Sequence, residues 1–208
     1  MSQVIDLKKR NSMPVSSSNW ESYPWKNELS VQLERVLAHG AEIIDDEYAG
    51  AHNPHHMLER ALVLSAFCVR RMVEKRLVTD KFAKTKFEVR TFQAVVDGGF
   101  RMPFHYSTGG GGGGFFRNYE ISSPKMVCVK PKGLADEIIH SSQLMVIYGE
   151  PAIADGILIA SDWHLKNRIL HLTFGEFGIL ARSVLNDFVQ SMSDQWDPDT
   201  GMVSSVRD

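Results

Sequence analysis

The chain has few cysteines, no excess of one charge and no long apolar run. Its 208 residues include only two cysteines, and its formal net charge is −2. Cys68 and Cys128 have no CxxC or Cys/His neighbours, so the sequence predicts two buried thiols rather than a disulfide framework or a zinc site. The near-neutral charge gives no global reason to expect a nucleic-acid partner.

Targeting, membrane and cofactor signals are also lacking. The N-terminal segment MSQVIDLKKRNS has basic residues but no apolar region behind them, unlike a signal peptide. Uninterrupted apolar stretches are under half the length that spans a bilayer, so we expect a cytoplasmic protein with no membrane partner. The chain has no P-loop, no glycine-rich dinucleotide motif and no GxSxG motif, so we expect no cofactor.

The composition is that of a globular domain. Apolar residues make up 43% and charged residues 23% of the chain, which is long enough to bury a substantial core. We predict a flexible tail over 1–19, a single domain over 20–192 and a polar tail over 193–208. Six consecutive glycines, Gly109 to Gly114, predict a flexible loop over 107–116, because glycine has the most conformational freedom to lose. Two origins stay open for this run, a natural loop or an engineered replacement for a longer one.

Periodicity predicts helices first, then strands, then a final helix, which is the order of an α+β domain. Apolar residues at helical spacing predict helices over about 27–48, 54–76, 133–141 and 175–192. Alternating patterns predict strands over 87–92, 125–130, 143–148, 156–161 and 168–174. We therefore predict N-terminal helices packed on a small, mainly antiparallel sheet, with a C-terminal amphipathic helix.

His140, at the end of the third predicted helix, is the first candidate catalytic residue. Asp136 lies four positions earlier on the same helix face, so the two are candidates for an acid–base pair, with Glu137 as a second carboxylate. The alternative is that His140 bonds a backbone carbonyl where the helix meets the strand. The site bears comparison with the HEPN ribonucleases, an all-helical family whose signature is an Arg, often followed by a polar residue, and then a His after a gap of four to six positions. Lys130 or Lys132 stands near the Arg position here, and a HEPN-like ribonuclease or other hydrolase centred on His140 is the alternative function.

Basic residues crowd the end of the second predicted helix. Residues 60–90 carry nine Lys/Arg and three Asp/Glu, a net of +6, which leaves −8 for the rest of the chain. Phosphate contacts need clustered cations, so nucleic acid is a candidate partner through Arg70, Arg71, Lys75 and Arg76. The alternative is a solvated helix end, because no recognised nucleic-acid module accompanies the cluster.

Histidines at the start of the same helix form the candidate metal site. His55 and Glu59 are four positions apart on one helix face, a spacing that can place two ligands on one metal. His56 and His52 lie beside them, but no HExxH-type pair is completed. A polar helix start is the alternative, and we predict no bound metal.

The predicted hairpin tip at 162–167 is the candidate partner-binding element. Trp163, His164 and Lys166 combine an aromatic ring with basic groups, which suits a contact with a partner. The alternative is that Trp163 folds back on the sheet while the residues after it make the turn.

Two segments and one helix resemble a pattern found in small uncharacterised bacterial proteins. In that pattern an apolar-His-Ser element (here 137–146) is followed by an SD-containing hairpin and a final helix (156–188), with a helix resembling 58–77 elsewhere. The resemblance covers about the last third of the chain plus that helix. It implies a bacterial, cytoplasmic protein of no established activity. We expect a non-enzymatic binding or accessory protein, acting through a protein or nucleic-acid surface in a defence or stress system, with a protein partner or a second copy bound.

Overall fold

The computed structural model describes most of the predicted domain. The described residues are 21–43, 53–95, 118–149, 154–199 and 202–208. Three predicted features lie outside them, namely the tail 1–19, the glycine-rich loop 107–116 and His52.

The fold is α+β, as the sequence predicts. The described helices are α1 (Tyr23–Glu42), α2 (Pro54–Glu74), α3 (Asp80–Lys84), α4 (Pro131–Ile139) and α5 (Phe174–Leu185). The described strands are β1 (Phe87–Gln93), β2 (Lys125–Val129), β3 (Ser141–Tyr148), β4 (Ala154–Ser161), β5 (Arg168–Thr173), β6 (Met192–Asp197) and β7 (Met202–Arg207). No described helix combines the length and the apolar character that crossing a membrane requires.

The main sheet has five antiparallel strands in the order β2-β1-β5-β4-β3. Helices α1, α4 and α5 contact β4 on one face, and α2 packs against α1 and α4. The core between these layers includes Leu29, Leu62, Ile159 and Phe177, all nearly inaccessible to water. Each such side chain stabilises the fold by about 1.5–3 kcal/mol relative to an exposed position.

The opposite face of the sheet carries a second, smaller cluster that fixes the β4–β5 loop. Leu165 of this loop packs with Phe92, Leu158 and Ile169. The hydroxyl of Tyr119 donates to the Leu165 carbonyl at 2.7 Å, and burial raises the pKa of this tyrosine. The β4–β5 loop is therefore held against this face of the sheet by the buried side chain and the carbonyl of Leu165.

Two helices differ in their bounds from the prediction. α1 begins at Tyr23 rather than near 27, since Pro24 is favourable in a first turn, and it ends at Glu42 because Ile43 is extended. α5 ends at Leu185 rather than near 192, with Asn186 as its C-cap. Phe188 therefore lies beyond the helix, and its side chain is 63% exposed.

The segment 193–208, predicted as a polar tail, forms a pair of strands instead. Strands β6 and β7 pair antiparallel from Met192 opposite Arg207 to Asp197 opposite Met202. The missed signal is the turn between them, where the Asp199 N–H donates to the Asp197 carboxylate at 2.9 Å. Such Asx turns begin many tight connections.

One of the two predicted buried thiols is exposed. Cys68 lies in the core, and burial raises its pKa to about 11, so the thiol stays protonated. Cys128 is exposed instead, because Val127 and Val129 take the core-facing positions of β2 and Cys128 lies on the other face of this edge strand.

Candidate functional site at the end of helix α4

Candidate residues from three parts of the sequence meet at the C-terminal end of α4. Helix α2 contributes Arg70 and helix α4 contributes Asp136. His140 directly follows α4, and the β4–β5 loop contributes Trp163. Arg70 Nη1 lies 3.1 Å from His140 Nε2 and 3.3 Å from Asp136 Oδ1. The ring centroids of His140 and Trp163 are 4.8 Å apart. The sequence assigns Arg70, the pair Asp136 and His140, and Trp163 to three different candidate sites, and the structure brings them together in one.

His140 takes its position from the way α4 ends. As the C-cap residue it donates its backbone N–H to the Asp136 carbonyl at 3.0 Å, and its own carbonyl accepts from the Asp162 N–H at 3.3 Å. Its imidazole contacts Arg70 through Nε2. A guanidinium only donates, so a hydrogen bond between the two groups requires the imidazole tautomer in which Nε2 is the acceptor.

Ion pairs close around Arg70. Arg70 Nε donates to Glu74 at 2.9 Å, and Lys132 Nζ lies 2.7 Å from Asp136 and 3.4 Å from Glu74. The hydrogen bond from Arg70 lowers the pKa of Glu74, and the hydrogen bond to Asp136 raises the pKa of Lys132. Two cations thus face two carboxylates, so with a neutral His140 the network carries no net charge.

A buried carboxylate on α4 fixes the β4–β5 loop. The side chain of Glu137 is only 4% exposed. It accepts from the Ser161 N–H at 3.0 Å, and it lies 2.5 Å from His164 Nδ1 and 3.4 Å from Arg168 Nη2. Since Ser161 and Arg168 stand on either side of Trp163, Glu137 fixes both ends of the segment that carries the exposed ring.

The residues Ser161, His164 and Glu137 have the composition of a hydrolytic triad but not its geometry. A triad uses the two ring nitrogens of histidine for different partners. Here both the Ser161 hydroxyl, at 3.2 Å, and Glu137, at 2.5 Å, contact the same nitrogen, His164 Nδ1. Ser161 is also fully buried, so a substrate has no access to its hydroxyl.

Trp163 is the exposed centre of the site. Its side chain is 62% exposed, and one part of the ring packs on His140 at an interplanar angle of 54°. The alternative in which it folds back on the sheet is wrong, because Leu165 occupies that position. His164 is partly exposed and Lys166 is exposed, so the three predicted partner-binding residues lie together on the surface.

The cations of the predicted basic cluster differ in their contacts. Arg70 belongs to the network described above, Arg71 lies 5.6 Å over the ring of Trp25, and Arg76 pairs with Asp80 at 3.3 Å. Lys75 is exposed. The four cations that the sequence groups together therefore have different neighbours.

The predicted histidine cluster forms no metal site in the part of the chain that the structure describes. No group of three potential ligands is found there, and this result includes His55, His56 and Glu59. The His55 N–H donates to the Asn53 side chain at 2.9 Å, which is the N-cap of α2. This cap is the contact expected where a helix begins with polar residues.

Comparisons with known proteins do not assign the chain to a family. No protein-family model, curated protein or solved structure matches the chain. The function is therefore argued from the site itself, since fold alone does not imply function.

The sequence argument missed several contacts of the site. Glu74 and Lys132 are one helical turn from Arg70 and Asp136, and this spacing was a usable signal. The role of Glu137 toward Arg168 had no local signal, because the two are 31 positions apart.

Proposed function

We propose that the chain is a non-enzymatic binding protein that contacts a partner protein through a surface centred on Trp163. We call it the Trp163 surface, and it consists of Arg70, His140, Trp163, His164 and Lys166. The observation that carries the proposal is an exposed tryptophan ring with a fixed position. The ring packs on His140, and Glu137 holds Ser161 and Arg168, which flank Trp163 in the chain.

A fixed and exposed tryptophan is well suited to protein recognition. Tryptophan and arginine are the residues that most often dominate the binding energy of interfaces. Their contribution is largest when little side-chain freedom is lost on binding. The packing of Trp163 on His140 and the contacts of Glu137 with the loop provide this preorganisation.

The charge of the site favours a protein over a nucleic acid. Arg70 and Lys132 already contact Glu74 and Asp136, and Arg168 contacts Glu137. A phosphate would have to compete with these carboxylates for each cation. Nucleic-acid binding gains its free energy from cations that are not already paired, because a phosphate contact then displaces only counterions. A protein surface can add polar contacts at the rim without separating the pairs.

The proposal predicts that Trp163→Ala strongly reduces partner capture. A photo-crosslinking amino acid placed at Lys166 should give a discrete adduct in cells of the native host. Truncating an interface tryptophan costs about 2 kcal/mol or more, so the adduct should fall by roughly 30-fold in Trp163→Ala. The adduct's mass distinguishes a second copy of the chain from another protein.

The matched control is Trp196→Ala, because Trp196 is 61% exposed and belongs to strand β6, outside the site. It should leave the adduct unchanged. An adduct that survives Trp163→Ala, or no adduct at all, would remove the proposal.

One observation favours a second candidate, a hydrolase centred on His140. Arg70 lies 3.1 Å from His140 Nε2, so a cation able to stabilise a phosphate and a base able to take a proton are adjacent. We expect no turnover of single-stranded RNA or of bis(p-nitrophenyl) phosphate by the pure protein. Turnover lost in His140→Ala and in Arg70→Ala, with unchanged melting temperatures, would replace the binding proposal. His56→Ala, an exposed histidine on α2, is the control that should retain any such activity.

A further inference from the structure

A cleft of about 540 Å³ opens between the start of α1, the end of α2 and the C-terminal hairpin. We call it the C-terminal cleft, and the residues that matter for its chemistry are Glu21, Tyr23, Lys75, Arg76, Phe188 and Arg207. None of the residues of the Trp163 surface lines this cleft. Its volume is in the range of sites that bind small molecules or short peptide segments.

The end of α2 builds one wall of the cleft. Arg76 adopts a left-handed backbone conformation with φ of 56°, and the Leu77 N–H donates to the Met72 carbonyl at 2.8 Å, which closes the helix. The Asp80 carboxylate then pairs with the Arg76 guanidinium at 3.3 Å and accepts from the Arg207 N–H at 3.3 Å. Asp80 thereby joins the hairpin to the end of α2.

The residues after α5 build the opposite wall. The Asp187 carboxylate accepts from the N–H and the hydroxyl of Thr79, both at 2.7 Å, and this contact turns the chain out of the helix. Phe188 follows with an exposed ring, and Lys26 Nζ lies 3.7 Å from its centroid. The ring is therefore supported on one side and presents its other side to solvent.

Positive charge in the cleft is incompletely matched. Its lining has three cations, Lys75, Arg76 and Arg207, and one carboxylate, Glu21. Arg76 shares its charge with Asp80, whereas Lys75 has no ion pair among the described residues. Within the same part of the chain, Arg207 Nε is buried and has no hydrogen-bond partner. A buried donor of this kind favours an incoming acceptor, and a carboxylate fits the guanidinium fork.

Apolar surface lies next to these cations. Tyr23, Phe188 and Met192 line the same cleft and are all exposed. An isolated anion would satisfy the cations and leave these side chains in water. A ligand with carboxylates beside apolar side chains would cover both.

We propose that the C-terminal cleft binds a short acidic segment of a partner protein, one that carries aromatic or aliphatic side chains between its carboxylates. Charge complementarity identifies the occupant, since Lys75 and Arg207 outnumber the one lining carboxylate, Glu21, once Arg76 is paired with Asp80. A single-stranded nucleic acid is less well matched, because it would need aromatic faces for its bases to stack on, and Lys26 already occupies one side of the Phe188 ring. The proposal is independent of the Trp163 surface.

Fluorescence anisotropy on the full chain tests this inference. The probe is a labelled ten-residue peptide of alternating glutamate and phenylalanine or leucine. We expect saturable binding that weakens about tenfold in Lys75→Glu and again about tenfold in the double variant with Arg207→Glu. Lys125→Glu, a charge reversal at an exposed lysine of β2 outside the cleft, should bind as the wild type does.

Two further measurements keep the test decisive if Arg207→Glu disturbs the hairpin. Phe188→Ser alters an exposed ring and should weaken the peptide without lowering the melting temperature. Amide resonances of residues 188–192 should shift on titration of the wild type. Equal binding of a peptide with lysine in place of glutamate, tighter binding of a labelled ten-nucleotide thymidine strand, or no peptide binding up to millimolar concentration would each overturn the proposal.

Discussion

Replacing Gly156 with alanine is expected to lower the free energy of unfolding by about 3 kcal/mol, the upper part of the range for overpacking in a core. A Cβ at this position would lie 2.5 Å from the Leu172 carbonyl oxygen and 2.7 Å from the Thr173 Cα. Both are backbone atoms of the neighbouring strand, in the register where Gly156 lies opposite Thr173. They cannot move apart without opening the β4–β5 pair.

The damage should extend beyond the sheet. Thr173 is also the N-cap of α5, where its hydroxyl accepts from the Glu176 N–H at 3.1 Å and Glu176 accepts from the Thr173 N–H at 2.8 Å. Displacing Thr173 therefore strains a capping box whose loss alone costs about 1 kcal/mol.

Urea denaturation of the two variants Gly156→Ala and Gly175→Ala measures the effect. A Cβ at Gly175 would lie 3.8 Å from the Thr173 hydroxyl oxygen, an ordinary contact. Because alanine is the better helix former, Gly175→Ala should leave stability unchanged or raise it by up to about 1 kcal/mol. A loss below about 0.5 kcal/mol in Gly156→Ala would contradict the register described for β4 and β5.

The second large effect is expected for Glu137→Ala, which should cost about 2–3 kcal/mol. The substitution leaves the Ser161 N–H without its acceptor and removes the carboxylate that faces His164 and Arg168. We place the cost at the low end for a buried ion pair because the His164 and Arg168 side chains are partly exposed and can recover water contacts.

Two readouts distinguish this account from a general loss of packing. The unfolding midpoint should fall in Glu137→Ala, and the Ser161 amide should exchange with solvent much faster than other amides of β4. Glu59→Ala, an exposed carboxylate on α2, should change stability by less than about 0.5 kcal/mol. Unchanged exchange at Ser161 would show that Glu137 does not fix the loop.

Local signals predicted much of the fold. Helix α2 follows from the Asn53 cap, Pro54 in its first turn and one apolar stripe, and it begins and ends within two residues of the prediction. Strands β4 and β5 and the turn between them were equally visible. The end of α5 was not, because it depends on the contact of Asp187 with Thr79, 108 positions away.

The same distinction between local signals and contacts of distant residues applies to the candidate site. The sequence identified Arg70, Asp136, His140 and Trp163 but assigned them to separate roles. Helical spacing predicted that Asp136 and His140 are neighbours, and they share Arg70 as a partner. It could not predict that partner, since Arg70 and His140 are 70 positions apart and are joined only by the packing of α2 on α4.

The strand order has a consequence for how the chain is made. Strand β1 pairs with β5, so Arg90 finds its neighbour His171 only after 81 further residues have been synthesised. Until then, a nascent polypeptide leaving the ribosome has an unpaired flank on β1, the kind of edge that other chains can join. Chaperone protection during translation would be most useful in this interval, and it would end when β5 emerges and fills the centre of the sheet.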